Sequence, residues 1–317
     1  DARTTRRRKS TKLLLLFKFS LLRSLHKKDA KNQQKKVKII KKDRNSMAKE
    51  RLDVLLVKRN LIDTREKAKR VIMAGLVFSN NERMDKPGMK VDEEIPLVVK
   101  GRIKYVSRGG FKLEKALTSF MIDIEGKTVV DIGSSTGGFS DCALQNGAKI
   151  IYAIDVGYNQ LDWKIRSDKR VIVHERTNFR YVTKDLFTEG TPNFAMIDVS
   201  FISLRLILPV LKEILQEGGE VVTLIKPQFE AEKEQVGKKG VIRDKRIHKE
   251  VLSKIISFAE EEGFTLLNLT YSPITGGEGN IEFLAHFGLE CNDNKIETNE
   301  ELILKTVDEA HTVLNKV

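Results

Sequence analysis

From residue 127 onward the apolar positions fall into short continuous runs separated by amphipathic stretches. KTVVDIG, AKIIYAIDVG, RVIVHE, FAMIDVS, EVVTLIKP, FTLLNLTYSP and IEFLAHF are rich in β-branched and aromatic side chains and bounded by turn residues, which predicts buried strands. Between them, SDCALQNG, LRLILPVLKEILQEGG and RIHKEVLSKIISFAEEEG carry apolar residues at helical spacing, and the last two are expected to end at Gly218 and Gly263. Strands alternating with helices predict an α/β, doubly wound, largely parallel sheet covered on both faces. The last two runs follow one another too closely for a crossover helix, so they predict an antiparallel pair at one edge.

The pattern changes upstream. RLDVLLVKRN and the following residue place Leu52, Leu55, Leu56 and Leu61 at helical spacing, and DTREKAKRVIMAG repeats the theme with Ala68, Val71 and Ile72. Asp63 is the expected N-cap of this second helix and Gly75 its expected stop. LVFSNNERMD and EEIPLVVKG then read as strands, giving a small α+β unit. On the second helix Arg65 and Lys69 lie four residues apart on one face, with Lys67 and Arg70 alongside. Such a stripe suits a phosphate backbone, but a solvated helix face has the same composition, and charge alone does not separate the two.

At 317 residues and 40% hydrophobic, the chain is long enough for two folded units. Its formal charge of +13 suggests nucleic acid until the charge is located. Residues 1–46 hold 17 basic and three acidic side chains, residues 47–106 hold 14 and nine, and residues 107–317 hold 26 and 32. A basic module therefore precedes an acidic body, and the overall excess belongs to the first segment. That segment is expected to be a disordered extension, with Met47 the natural start; Lys18 interrupts its apolar run, which suits neither a signal peptide nor a membrane span. The expected division is thus an extension over 1–46, a nucleic-acid-binding module with its linker over 47–106, and an α/β domain over 107–317. Cys142 and Cys291 form no zinc or disulfide pattern and the five histidines are scattered. No metal, no stable membrane association and a reducing, cytoplasmic setting are expected.

The string VVDIGSSTGGFSD combines a strand, a glycine-rich turn and a helix, so the backbone at Gly133, Gly137 and Gly138 can approach a ligand over the strand ends. Asp131, Ser134 and Phe139 of the same string join them as candidate cofactor contacts. Asp155 ends the next strand, placed to accept hydrogen bonds from ribose hydroxyls, which signals an adenosine-containing cofactor. The GxGxxG spacing of dinucleotide sites is absent; that favours S-adenosylmethionine while leaving a nicotinamide cofactor open. Asn178, after the third strand, lies where such domains meet adenine, or is a plain turn residue. Asp198 closes the fourth strand, and Lys226, followed by Pro227, closes the fifth, so both project at the carboxyl edge where open α/β sheets bind ligands. Lys112 in SRGGFKLEKAL and Glu282 in GNIEFLAHF would each, taken alone, read as solvated surface charge.

Two resemblances gather these residues. RLDxxLVxxxLxxxRxxAxxxIxxGxV resembles the RNA-binding module named after ribosomal protein S-four, which implies RNA contacts for Arg51, Arg65, Lys67, Lys69 and Arg70. Lys112, Asp198, Lys226 and Glu282 match, in order and context, the Lys-Asp-Lys-Glu set of FtsJ-like ribose 2′-O-methyltransferases. The combination, with SRGG-KL, DIGSSTGGF, DVSFISL, KPQFE and GNIEF, is similar to the TlyA family over nearly everything from Met47 to about Phe287. The resemblance implies a Rossmann-like methyltransferase sheet, S-adenosylmethionine as methyl donor, and ribosomal RNA or ribosomal subunits as partners. It further implies methylation of cytidine ribose in the small-subunit RNA, the large-subunit RNA or both. In such a site Lys226 would act as general base or stabilise the alkoxide, Asp198 would position it, and Lys112 and Glu282 would orient the nucleotide. Some family members carry the label hemolysin, so a membrane-active protein and a non-catalytic ribosome-assembly factor are the alternatives.

Overall fold

The computed structural model describes residues 49–101, 104–237, 239–290 and 300–314. The extension, Met47 and Cys291 lie outside the described residues. The N-terminal unit comprises β1 (Lys49–Arg51), α1 (Leu52–Lys58), α2 (Arg65–Met73), β2 (Val77–Ser79), β3 (Glu82–Arg83), β4 (Lys90–Asp92) and β5 (Val98–Val99). Leu52, Leu55 and Leu56 of α1 bury against Ala68, Val71 and Ile72 of α2 and against Val77, forming one small core. Both helices are those the apolar spacing predicts, except that α1 ends at Lys58, where Asn60 turns the chain at φ +55°, and leaves Leu61 beyond it and exposed; the cap of α2 also differs. Thr64, not Asp63, is the N-cap of α2: its backbone is extended and its hydroxyl accepts from Lys67 N at 3.2 Å, while Asp63 pairs with the Lys67 ammonium at 2.7 Å. Gly75 follows the helix at φ +73°, the left-handed conformation expected of a helix stop.

The larger unit contains α3 (Gly109–Phe120), β6 (Thr128–Ile132), α4 (Gly138–Gln145), β7 (Ile150–Ile154), α5 (Trp163–Arg166), β8 (Val171–His174) and β9 (Phe194–Ile197). It continues through α6 (Leu208–Ile214), β10 (Glu220–Ile225), α7 (Pro227–Glu230), α8 (Lys245–Glu261), β11 (Phe264–Tyr271), β12 (Phe283–Leu289) and α9 (Glu300–Leu314). All seven apolar runs are strands of one sheet, ordered β11-β12-β10-β9-β6-β7-β8. The neighbours from β10 through β8 are parallel, and β12 inserts antiparallel between β10 and β11. One apolar layer unites the sheet with α6, α8 and α9 through Leu211, Leu252, Ile255 and Val307. Another unites it with α3 and α4 through Leu113, Ala116 and Ala143. Gly218 does not end α6: Leu215 already leaves the helix in an extended conformation, so the glycine serves the following turn, whereas Gly263 does follow α8 at φ +94°. Among the described residues no helix is long and apolar enough to cross a membrane.

Helices α8 and α9 are joined by a buried contact between His248 Nδ1 and His311 Nε2 at 2.9 Å. Burial, then the neighbouring His311, pushes the His248 imidazole down from 6.5 to about 4. The unfolded chain takes up this proton near pH 6.5 and the folded chain only near pH 4, so the contribution is complete above 6.5 and lost as pH falls through that window. Thermal unfolding of His248→Gln should therefore show a shallower decline in Tm between pH 7 and pH 4.5 than the parent protein; parallel declines would contradict this role.

Candidate active site

Asp198 and Lys226 are the first residues beyond β9 and β10, at the carboxyl edge of the sheet. Because β12 is antiparallel to β10, with Ile225 opposite Phe283, the start of β12 lies at that same edge and brings Glu282 beside Lys226. Lys112 arrives from the first turn of α3. The four side chains line a single cavity of about 580 Å³. Lys112 Nζ lies 2.6 Å from Glu282 Oε2 and 3.5 Å from Asp198 Oδ2, and Lys226 Nζ lies 2.5 Å from Asp198 Oδ1. Lys226 also donates to Ser200 Oγ at 3.0 Å.

Lys112, Lys226 and Glu282 are buried, so the formal charges, two of each sign, must satisfy one another. Burial alone would raise the Asp198 pKa, but the adjacent Lys112 and Lys226 overcome it and hold the carboxyl at about 2. Burial would likewise lower Lys112, yet Asp198 and Glu282 outweigh it and the ammonium is stabilised above its ordinary range. Asp198 is therefore an anion across any physiological pH and anchors both lysines.

The glycine-rich turn forms the adjoining wall. Gly133, Ser134, Gly138 and Phe139 line the cavity. Gly133 has φ +84°, and a Cβ there would stand 2.7 Å from the backbone oxygen of Asp198. Gly137 has φ +88° with a would-be Cβ 2.8 Å from Leu161, and a Cβ on Gly138 would stand 2.9 Å from Gly110 N. These glycines thus serve close packing within the protein, and Gly133 in particular lets the turn lie directly against the Asp198 peptide. Gly137, Asp131, Asp155 and Asn178 are not among the cavity-lining residues. Asp131 sits fully buried beneath the turn, accepting from Ser140 Oγ at 2.6 Å, and burial pushes its carboxyl up to about 7. Asp155 accepts from Ser135 N at 2.8 Å and Gly157 N at 2.6 Å, bracing the turn against the end of β7. Asn178 caps a short 3₁₀ turn by accepting from Arg180 N at 3.2 Å.

The sequence pattern does not single out Ser200, Glu230 or Asn280, yet each organises the site. Glu230 accepts from Ser203 Oγ at 2.6 Å and Leu204 N at 2.8 Å, tying the loop after β9 to the segment after β10. The buried Asn280 accepts from Ile242 N at 3.1 Å and donates to Gly240 O at 2.8 Å, joining two loops at the cavity wall. The available signal is membership of the motif strings: Ser200 falls within DVSFISL, Glu230 within KPQFE and Asn280 within GNIEF.

On the N-terminal unit, Asp53 is fully buried and binds Arg51 Nε and Arg65 Nε, each at 2.9 Å. Burial opposes its ionisation, but the two guanidiniums prevail and hold it at about 2. Lys67 pairs with Asp63, Lys69 with Glu66 at 2.7 Å, and Arg70 approaches Asp162 of the larger unit at 3.8 Å. The five basic residues are thus paired within the protein, but the Lys67 and Lys69 pairs are exposed and worth little in water, so phosphate can compete for these lysines.

A doubly wound, parallel-dominated sheet with an antiparallel β12 insertion, a glycine turn and a charged cavity at its carboxyl edge defines a methyltransferase. The FtsJ-like methyltransferase model matches residues 105–289, and the S4 domain model matches residues 50–94. YqxC of Bacillus subtilis, provisionally described as an rRNA methyltransferase, is 60% identical over 270 residues, spanning 84% of this chain and 96% of its own. The 16S/23S rRNA (cytidine-2′-O)-methyltransferase TlyA of Mycobacterium tuberculosis is 38% identical, spanning 74% of this chain and 87% of its own. A structure from Streptococcus thermophilus, provisionally described as a hemolysin, is 53% identical with a TM-score of 0.68, covering 86% of this chain and 98% of that one. The chain belongs to the TlyA family of rRNA methyltransferases.

The Lys112–Glu282 pair yields a prediction. Lys112→Met leaves Glu282 buried without its 2.6 Å partner and should cost about 3–5 kcal/mol in urea unfolding. Adding Glu282→Leu should restore most of that stability, because an apolar pair replaces a buried ion pair at little cost. Additive losses in the double variant would show that the two side chains are not coupled.

Proposed function

We propose that this protein transfers a methyl group from S-adenosylmethionine to the ribose 2′-hydroxyl of a cytidine in 16S or 23S rRNA, or both, acting in the cytoplasm. The observation that carries the proposal is the convergence of Lys112, Asp198, Lys226 and Glu282 on one cavity bounded by the glycine turn. The cofactor fits the residues present: a cavity of about 580 Å³ is ample for it, and Gly133, Ser134, Gly138 and Phe139 line one side. Asp131 and Asp155 would hold that turn in shape, Asp155 retaining acceptor capacity for ribose hydroxyls and Asn178 lying near the adenine end. When bound, S-adenosylmethionine supplies an electrophilic methyl group on a sulfonium.

A ribose hydroxyl is a weak nucleophile at neutral pH, so the protein must align it and stabilise the charge that develops on oxygen. Lys226 meets that oxygen: as the neutral amine, once its own proton has left to water, it takes the hydroxyl proton, and as the ammonium paired with Asp198 it stands beside the alkoxide instead. Asp198, ionised down to about pH 2, is too weak a base to keep the proton and instead fixes Lys226. Lys112, locked to Glu282, presents a second cation and orients the nucleotide. Residues 47–106 deliver the RNA through Arg51, Arg65, Lys67, Lys69 and Arg70, and residues 107–317 perform the chemistry. TlyA of Mycobacterium tuberculosis, described as a cytidine-2′-O-methyltransferase acting on both rRNAs, supports the substrate assignment.

Methyl transfer to rRNA, with cofactor affinity measured separately by calorimetry, tests the assignment. Lys226→Ala should lower kcat by roughly 10²- to 10⁴-fold while leaving S-adenosylmethionine affinity near that of the parent. Full turnover in this variant contradicts the role of Lys226. Cofactor and RNA binding without any transfer by the parent protein would favour a non-catalytic assembly factor.

A further inference from the structure

The chain contains one tryptophan, Trp163, and its side chain is 75% exposed. Tryptophan is ordinarily buried over most of its surface, and Trp163 belongs to none of the apolar clusters among the described residues. The segment that carries it is nonetheless firmly held. Asp162 caps α5 by accepting from Lys164 N at 2.9 Å, and its own N–H donates to Thr136 O at 3.2 Å. Leu161 and Ile165 pack on Gly137, and Lys164 Nζ pairs with the buried Asp141 at 2.8 Å. The Thr136 hydrogen bond and the packing on Gly137 anchor α5 to the glycine turn, Lys164 ties it to α4, and Thr136 lines the catalytic cavity. The indole is left facing outward on a rigid support.

Its surroundings point to one kind of partner. Residues 162–170 carry four basic and two acidic side chains within a domain whose net charge is negative; Lys164, Arg166 and Arg170 pair with Asp141, Glu175 and Asp168, and the Lys164 and Arg170 side chains remain about half exposed, within reach of phosphate. Asp162 also meets Arg70 across the boundary between the two units, so the basic face of α2 adjoins the segment bearing Trp163. Along the chain beside Trp163, Lys164, Ser167 and Lys169 are exposed, a polar and cationic stretch unlike the apolar surround of a protein-docking anchor. An outward aromatic ring with cations beside it is the arrangement that stacks a nucleobase while neutralising its phosphates.

We propose that Trp163 is a stacking platform for an unpaired base of the RNA substrate, placed between the basic face of α2 and the glycine turn of the catalytic cavity. The inference rests on RNA being the substrate. It adds a contact on the catalytic domain, so that RNA held by α2 is also fixed beside the cavity.

Because Trp163 is the one tryptophan in the chain, intrinsic fluorescence reports it alone. The full chain is titrated with naked 16S and 23S rRNA while affinity is followed independently by filter binding. RNA saturation should change the emission and shield the indole from acrylamide. Trp163→Ala should bind RNA roughly 5- to 150-fold more weakly, Trp163→Phe should recover most of the loss, and both should keep the parent Tm and S-adenosylmethionine affinity. Tight RNA binding with unchanged acrylamide access, or parent affinity in Trp163→Ala, overturns the platform while leaving RNA as substrate intact. Failure of the parent to bind RNA overturns both readings. Shielding by intact ribosomal subunits but not by naked rRNA assigns the ring to a protein partner and also overturns the proposal.

Discussion

The carboxylate of Asp198 between the ammonium groups of Lys112 and Lys226 is the interaction on which the site depends. Isolated buried charges cost several kcal/mol each, so none of the four residues could stand alone in this cavity. Together they cancel, with Glu282 completing the set at 2.6 Å from Lys112. The cancellation requires four distant stretches of chain to meet within hydrogen-bond distance. Parallel pairing of β9 with β10 brings Asp198 and Lys226 out at the same edge, and the antiparallel insertion of β12 turns the N-terminal end of a strand toward it. A parallel strand in that position would have carried Glu282 to the opposite edge.

The glycine turn is coupled to this arrangement by direct contact. Gly133 lies against the Asp198 peptide closely enough that any side chain would displace one or the other. Gly138 allows α3 and α4 to approach, and α3 carries Lys112. The groups that shape the cavity and the groups that carry its charge are therefore one packed unit.

The strand set was fully legible because buried strands of an α/β sheet read as uninterrupted apolar runs with turn residues at each end. Membership of the charged quartet was legible through motif order, since Lys112 and Glu282 are unremarkable in isolation and only the fold makes them neighbours. What pattern could not supply was local hydrogen bonding. Thr64 displaced Asp63 as a cap because its extended backbone sets the hydroxyl at the right helical N–H. The glycine turn was legible as a cavity wall through Gly133 and Gly138, but not the second task of its missing side chains, which make room for Asp198, Leu161 and Gly110. Trp163 lies in a four-residue helix too short for periodicity to mark, and its exposure is a property of the folded surface alone.

The central claim is that this geometry directs a methyl group to a ribose oxygen. Its most direct test is to treat rRNA with the protein and S-adenosylmethionine and to map alkali-resistant linkages, since a methylated 2′-oxygen can no longer attack its own phosphate. A discrete resistant position following a cytidine is the result this account requires. Methyl incorporation that leaves every linkage alkali-labile would place the methyl group on a base and contradict it.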